Sequence, residues 1–188
     1  MAHPDLSRLT RDSTAVLLVD VQEKLVPSMP PEVMAAVERN CGIWLQAAPI
    51  LGLPVLVSEQ YPKGLGPTVG SLRRLCPAAI PLPKDCFSCA DSPEIVAKLT
   101  SLGARRVILL GMEAHVCVLQ SAVGLVHRGL DVWVAEDATI SRRHANWQAG
   151  MRLCREAGAG VAPTETLLFR LMQRSGTPEF KAISRLIK

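Results

Sequence analysis

The 188-residue chain is predicted to fold as an α/β protein with a mainly parallel sheet covered by helices on both faces. Two patterns carry that reading. Short uninterrupted apolar runs, the mark of strands buried on both faces, alternate with stretches whose apolar residues recur every three or four positions. Strands alternating with helices imply right-handed crossovers, and hence parallel neighbours. Length and composition agree. The chain suits a single domain over 1–188, and 48% hydrophobic against 20% charged residues is the balance of a compact protein rather than a disordered one.

Residues 14–20, Thr-Ala-Val-Leu-Leu-Val-Asp, read as a first buried strand ending in a carboxylate. A Pro-rich loop follows, and Val33, Val37, Cys41, Trp44 and Ala48 then mark one face of a helix that Pro49 should end or kink. A second strand is expected over 53–58, a loop dense in Gly and Pro over 60–70, and a short third strand over 79–82, directly before Pro83 and Lys84. Ser92-Pro93-Glu94 supplies a cap, a first-turn proline and an acid for a helix that Gly103 ends. Residues 107–110 form the fourth strand and 130–135 the fifth. Trp147, Met151 and Cys154 share a helix face stopped by Gly158. A brief sixth strand over 160–162 leads to a helix from Thr164, and Pro178, Phe180, Ile183 and Ile187 suggest a final amphipathic helix. The sum is a three-layer α/β/α, Rossmann-like arrangement with six strands.

Composition excludes several classes. The longest apolar region, 43–57, is interrupted by Gln46, Pro49, Gly52 and Pro54, so no membrane span is expected. The N-terminal residues lack the apolar core of a secretory signal; the expected compartment is the cytoplasm, and the six cysteines then read as reduced thiols. A net charge of +4 with scattered pairs such as Arg73-Arg74, Arg105-Arg106 and Arg142-Arg143, without interleaved aromatics, does not suggest a nucleic-acid partner. Gly64-Leu-Gly-Pro-Thr-Val-Gly does not meet the dinucleotide pattern, and no cofactor is expected.

Three chemically capable residues, Asp20, Lys84 and Cys117, each follow one of these strands. Parallel strands share a carboxyl edge, where open α/β sheets place ligands, so residues far apart in sequence would meet there. The apolar period changes from strand to helix across 111–116, which puts Cys117 near the first turn of a helix, where the helix dipole and backbone N–H groups favour thiolate. A lone cysteine could equally be a small buried hydrophobe. Cys117 needs a base, Asp20 can be one, and Lys84 can hold the carboxylate and stabilise developing negative charge.

The motifs Leu-Leu-Val-Asp-Val-Gln (17–22), Glu-Gln-Tyr-Pro-Lys-Gly-Leu-Gly-Pro-Thr (59–68), Pro-Lys-Asp-Cys-Phe-Ser (83–88), Gly-Met-Glu-Ala-His-Val-Cys-Val (111–118) and Glu-Asp-Ala-Thr (136–139) occur in order. As a set they resemble the isochorismatase-like cysteine hydrolases, and most of all the isochorismatase domain-containing branch. The resemblance implies a catalytic triad of Asp20, Lys84 and Cys117, with a cis peptide between Met112 and Glu113 letting the N–H groups of Glu113 and Cys117 form an oxyanion hole. It also implies a homo-oligomer, a reading that the apolar residues of the terminal helix support. Metal-binding nicotinamidases carry an Asp and two His after the second strand, whereas Ser58-Glu59-Gln60-Tyr61 offers no such set, so no metal is expected. Isochorismatases proper lack the cysteine, and Cys117 argues against their vinyl-ether hydrolysis.

Gln22, Tyr61, Phe87 and His115 are candidate substrate-binding residues. Gln22 is placed to orient the loop after Asp20; Tyr61 and Phe87 are pocket wall or ordinary core; His115 lines the pocket or caps the turn. Cys86-Phe-Ser-Cys89 matches a redox or half-zinc pattern, with no second pair to complete a zinc site. Two functions follow: a cysteine hydrolase acting on a small-molecule carbonyl substrate such as an amide, or a catalytically silent or redox-responsive binding protein that keeps the fold.

Overall fold

The computed structural model describes residues 5–188. Residues 1–4, part of the stretch read as lacking a secretory signal, lie outside the described residues. In chain order the elements are β1 (Thr14–Val19), α1 (Pro31–Ile50), β2 (Val55–Gln60), α2 (Pro62–Leu65), α3 (Gly70–Arg73), β3 (Leu82–Lys84), α4 (Pro93–Ser101), β4 (Arg106–Met112), α5 (Leu119–His127), β5 (Asp131–Ile140), α6 (His144–Glu156), β6 (Gly160–Ala162), α7 (Thr164–Met172) and α8 (Pro178–Ile187). The six strands form one sheet in the order β3-β2-β1-β4-β5-β6, and every pairing is parallel. Three-layer α/β architecture is thus what the alternating pattern dictated.

The continuous apolar run of β1 is explained by its place: it pairs with β2 on one side and β4 on the other, and all six of its residues are buried. Val16 and Leu18 enter one core, with Trp44 of α1, Leu168 of α7 and Ile183 of α8. Ala15, Leu17 and Val19 enter the other, with Ile95 of α4, Leu125 of α5 and Met151 of α6. The alternation is the strand period of two, expressed between two helical layers instead of between core and solvent.

From β1 the chain winds outward to β2 and β3, then returns to β4 on the other side of β1 and winds outward again to β5 and β6. The reversal leaves a crevice beyond the carboxyl ends of β1 and β4, the place where such sheets bind ligands. Backbone closeness there is enforced by Gly111, whose φ is 110° and where an added Cβ would stand 2.1 Å from the carbonyl oxygen of Val19.

Several element boundaries differ from the sequence expectations. β2 begins at Val55 and extends through Ser58, Glu59 and Gln60, three polar residues that are buried because each finds a partner inside the fold. β3 lies at Leu82–Lys84, later than expected, so Lys84 closes the strand instead of following it; Pro83 is tolerated because the strand is at the sheet edge. The Gly- and Pro-dense loop contains the short helices α2 and α3. Pro49 sits in the last turn of α1, which continues to Ile50. Ser92 occupies the N-cap of α4 but its side chain makes no capping hydrogen bond. Phe180, Leu186 and Ile187 of α8 pack with Ile183 against the core, so these apolar residues are used within the chain and do not by themselves call for a second copy. Among the described residues no helix is long and apolar enough to cross a membrane.

Candidate active site

Asp20, the first residue beyond β1, has no exposure and takes the left-handed conformation with φ 53°. Its N–H donates to the carbonyl of Ser58 at 3.2 Å. The turn aims its carboxylate at the crevice. Lys84 Nζ donates to Asp20 Oδ2 at 2.6 Å, and both side chains are wholly buried. The ammonium also meets Gln60 Oε1 at 2.7 Å and the carbonyls of Cys86 and Phe87, each at 3.2 Å. Four acceptors around three N–H bonds leave the charge fully satisfied. Burial pulls the Lys84 pKa down, but the neighbouring Asp20 charge and the Cys89 and Cys117 sulfurs push it the other way by more, and the net shift is upward. Lys84 is therefore an ammonium in the resting protein.

Cys117 lies in a wide π-helical turn, Ala114–Val118, that joins β4 to α5, and the peptide bond between Met112 and Glu113 is cis. Gly150 of α6 permits this turn to pack closely, since a Cβ there would meet the Ala114 carbonyl oxygen at 2.8 Å. The thiol is nearly buried. Burial pushes its pKa well above the ordinary thiol range, and Asp20 raises it further by charge and by hydrogen bonding; Lys84 pulls it down but does not offset them. The expectation of a ready thiolate from the helix start is thus reversed: the resting group is a thiol beside a carboxylate that can take its proton. The Glu113 N–H donates to no acceptor among the described residues. Its carboxylate accepts from the Arg142 N–H at 3.0 Å and from Arg142 Nε at 3.2 Å.

The remaining candidates divide. Gln22 is fully buried; its amide donates to the carbonyls of Gln60 and Gly66 at 2.9 and 2.7 Å, and its Oε1 accepts the Gln60 N–H at 2.8 Å. It clasps the loop after β1 to the end of β2. His115 has both ring nitrogens occupied, Nδ1 with Ser141 Oγ at 2.9 Å and Nε2 with Asn146 Nδ2 at 3.2 Å. Tyr61 and Phe87 are 59% and 53% exposed, which contradicts a place in the core and puts them on the surface of this chain. Cys86 and Cys89 are free thiols in different surroundings: Cys86 is half-buried and its Sγ donates to the Ser88 carbonyl at 3.2 Å, while Cys89 is fully buried and burial pushes its pKa up to about 11.

Residues the sequence reading passed over complete the cluster. Ser58 Oγ donates to Asp20 Oδ1 at 2.7 Å, and Gln60, two residues on and so on the same strand face, holds Lys84. Glu59, on the opposite face, accepts from the N–H and hydroxyl of Thr68 at 2.7 and 2.8 Å. Three polar residues ending an apolar strand were the available signal. Among the described residues no group of three or more His, Cys, Asp or Glu side chains is placed to hold a metal ion.

Fold and site together define a three-layer α/β protein with a buried acid, lysine and thiol gathered at the switch point of a parallel sheet. The isochorismatase domain family model matches residues 14–166. Isochorismatase domain-containing protein 2A of Mus musculus is 35% identical over 190 residues, covering all of this chain and 88% of the mouse protein. The structure of MAR1 ribonuclease from Caenorhabditis elegans aligns with a TM-score of 0.87 and 34% identity, over 96% of this chain and 92% of the other. The YcaC gene product of Escherichia coli, described as an octameric hydrolase of unknown specificity, shares the fold with a TM-score of 0.82 at 24% identity, over 89% of this chain and 83% of that one. The chain belongs to the isochorismatase domain family and is an isochorismatase-like hydrolase.

Proposed function

We propose that the whole chain is one isochorismatase-like domain acting as a cysteine hydrolase on a small carbonyl compound, an amide or similar, with Asp20, Lys84 and Cys117 as its triad. The observation that carries this reading is the wholly buried Lys84–Asp20 pair at 2.6 Å acting on a protonated Cys117. A buried ion pair is a poor device for stability alone, and its persistence beside a thiol argues for chemistry. In the first step Asp20 accepts the thiol proton as sulfur attacks the carbonyl carbon, and the N–H groups of Glu113 and Cys117 receive the developing oxyanion. Asp20 then returns the proton to the departing amine nitrogen, leaving an acyl-enzyme thioester. Water, deprotonated by the same carboxylate, attacks the thioester and releases acid and thiol. Throughout, Lys84 keeps Asp20 oriented and balances its charge.

The test is intact-protein mass spectrometry after exposure to a library of small amides. An acyl adduct that maps to Cys117 and is absent from Cys117→Ala supports the reading, and turnover by Cys117→Ala at the wild-type rate would end it.

The similarity to a nematode protein described as a ribonuclease favours a second reading, RNA cleavage. The site is poorly suited to it. A phosphodiester needs free cations in excess, whereas Lys84 has its protons engaged, and in the cavity of about 500 Å³ beside it Lys63 is outnumbered by Asp85, Asp91 and Glu94. Incubation with a labelled RNA, with Asp20→Asn and Cys117→Ala as controls, separates the two.

We also propose a cytoplasmic homo-oligomer. The support is surface chemistry: Tyr61 and Phe87 stand exposed near the carboxyl edge, and an apolar cavity of about 390 Å³ lined by Val33, Val37, Ile140 and Trp147 opens between α1 and α6.

A further inference from the structure

Ser58 grips Asp20 at both ends. Its carbonyl accepts the Asp20 N–H at 3.2 Å, which fixes the left-handed turn, and its hydroxyl donates to Oδ1 at 2.7 Å, opposite the oxygen that Lys84 holds. Register makes this possible, because Val19 pairs with Ser58 across β1 and β2. Ser58 has no exposure, so the hydroxyl faces no competing water. A carboxylate held by one oxygen alone can swing about its terminal torsion, which is broad and soft. Held by Ser58 at Oδ1 and Lys84 at Oδ2, it cannot.

We propose that Ser58 is a positioning residue for the hydrolytic reaction: it locks the plane of the Asp20 carboxylate toward Cys117 and tunes how readily that carboxylate takes the thiol proton. This rests on the triad reading above. A hydroxyl has one proton, and here it goes to the carboxylate; behind it lies Cys89, buried and neutral, whose N–H donates to Ser121 Oγ at 2.8 Å. Ser121 is a second buried hydroxyl of the same neighbourhood that does not contact Asp20.

The experiment measures the rate of Cys117 carbamidomethylation by iodoacetamide against pH, site-resolved by peptide mapping, which needs no knowledge of the substrate. Four variants are compared with wild type: Ser58→Thr, Ser58→Val, Ser121→Ala and Asp20→Asn. Thr and Val differ only in the hydroxyl, so any strain from the added methyl is common to both. A carboxylate stripped of a donor holds a proton more readily, and a hydrogen bond to a charged group corresponds to roughly one to two pH units. The acid limb of the Cys117 profile is expected to move up by about that amount in Ser58→Val relative to Ser58→Thr, with Thr close to wild type and Ser121→Ala unmoved. Coincident Thr and Val profiles, or an equal displacement in Ser121→Ala, would overturn the proposal. Asp20→Asn separates the two levels of the argument. A profile altered by Asp20→Asn but identical in Thr and Val removes Ser58 alone; one that Asp20→Asn leaves unchanged removes the triad reading, and Ser58 with it.

Discussion

Replacing Lys84 by Met leaves the length of the side chain and deletes its charge. Read as a surface lysine after a proline, Lys84 would accept this change silently. The structure gives its side chain no exposure and makes it, among the described residues, the only cation paired with Asp20, itself fully buried. After the substitution the carboxylate keeps the Ser58 hydroxyl at 2.7 Å and nothing of opposite charge. Removing one member of a buried pair costs about 3–5 kcal/mol, because the survivor is left uncompensated. For a chain of this length each kcal/mol lowers Tm by about 2–4 °C, so the expected fall is roughly 6–20 °C. Adding Asp20→Asn removes the orphan charge while leaving an acceptor for Ser58, and the double variant should be more stable than Lys84→Met alone. Urea and thermal unfolding at neutral pH, followed by circular dichroism, give the four corners of the cycle. In the wild type the sign with pH is fixed: the folded pKa of Lys84 is raised, so its stabilisation is complete below the ordinary lysine value, about 10.4, and is lost as pH climbs through the folded value. A Lys84→Met protein within about 1 kcal/mol of wild type, with additive effects in the cycle, would refute the buried-pair argument.

Brief iodoacetamide treatment near neutral pH should label the half-buried Cys86 before Cys117, since burial and Asp20 keep the Cys117 thiol protonated; peptide mapping that finds Cys117 labelled first would contradict that account. Cys117 labelling should accelerate with rising pH as the thiol ionises. Gly111→Ala should abolish soluble, folded protein, because its Cβ would stand 2.1 Å from the Val19 carbonyl at a φ of 110°; a variant with wild-type Tm would show that β1 and β4 can part without cost. Light scattering at micromolar concentration should give a mass above one chain, and Val33→Asp should reduce it if the cavity beside α1 is the contact.

The architecture was legible because β1 and β4 are buried on both faces and so are apolar without a break, a pattern that cannot be mistaken for a solvated sheet. The places of Asp20 and Cys117 followed from it, each just beyond such a run. Less was visible at β2 and β3. Ser58 was expected to end the strand, yet Glu59 and Gln60 extend it, because the partners of these three residues, Asp20, Thr68 and Lys84, come from elsewhere in the chain. Tyr61 and Phe87 could have been pocket wall or ordinary core, since nothing local distinguishes an aromatic facing inward from one facing out; both are too exposed for core, and Tyr61 lines the cavity beside Lys84. For Cys117 the helix start and Lys84 favour thiolate and Asp20 opposes it; burial, which depends on three-dimensional neighbours, adds to Asp20 and keeps the thiol protonated. The apolar surplus of α8 was real, but α1 and α7 consume it.

The reversal of winding at β1 has a consequence for the chain as it is made. β1 precedes the other five strands of the sheet in the chain and is wholly buried, yet one of its two neighbours, β4, is not finished until residue 112. Until then a strand with five apolar residues in succession waits with an open edge and one partner at most. The link between Asp20 and Lys84 spans 64 positions, and the thiol comes 33 residues later still (117 − 84 = 33). Contacts so distant in sequence form slowly, and unpaired apolar strands are where aggregation begins. Translation arrested before β4 should therefore yield a nascent chain that chaperones hold and that cannot be released in soluble form, whereas one arrested beyond α5 already contains every residue of the cluster.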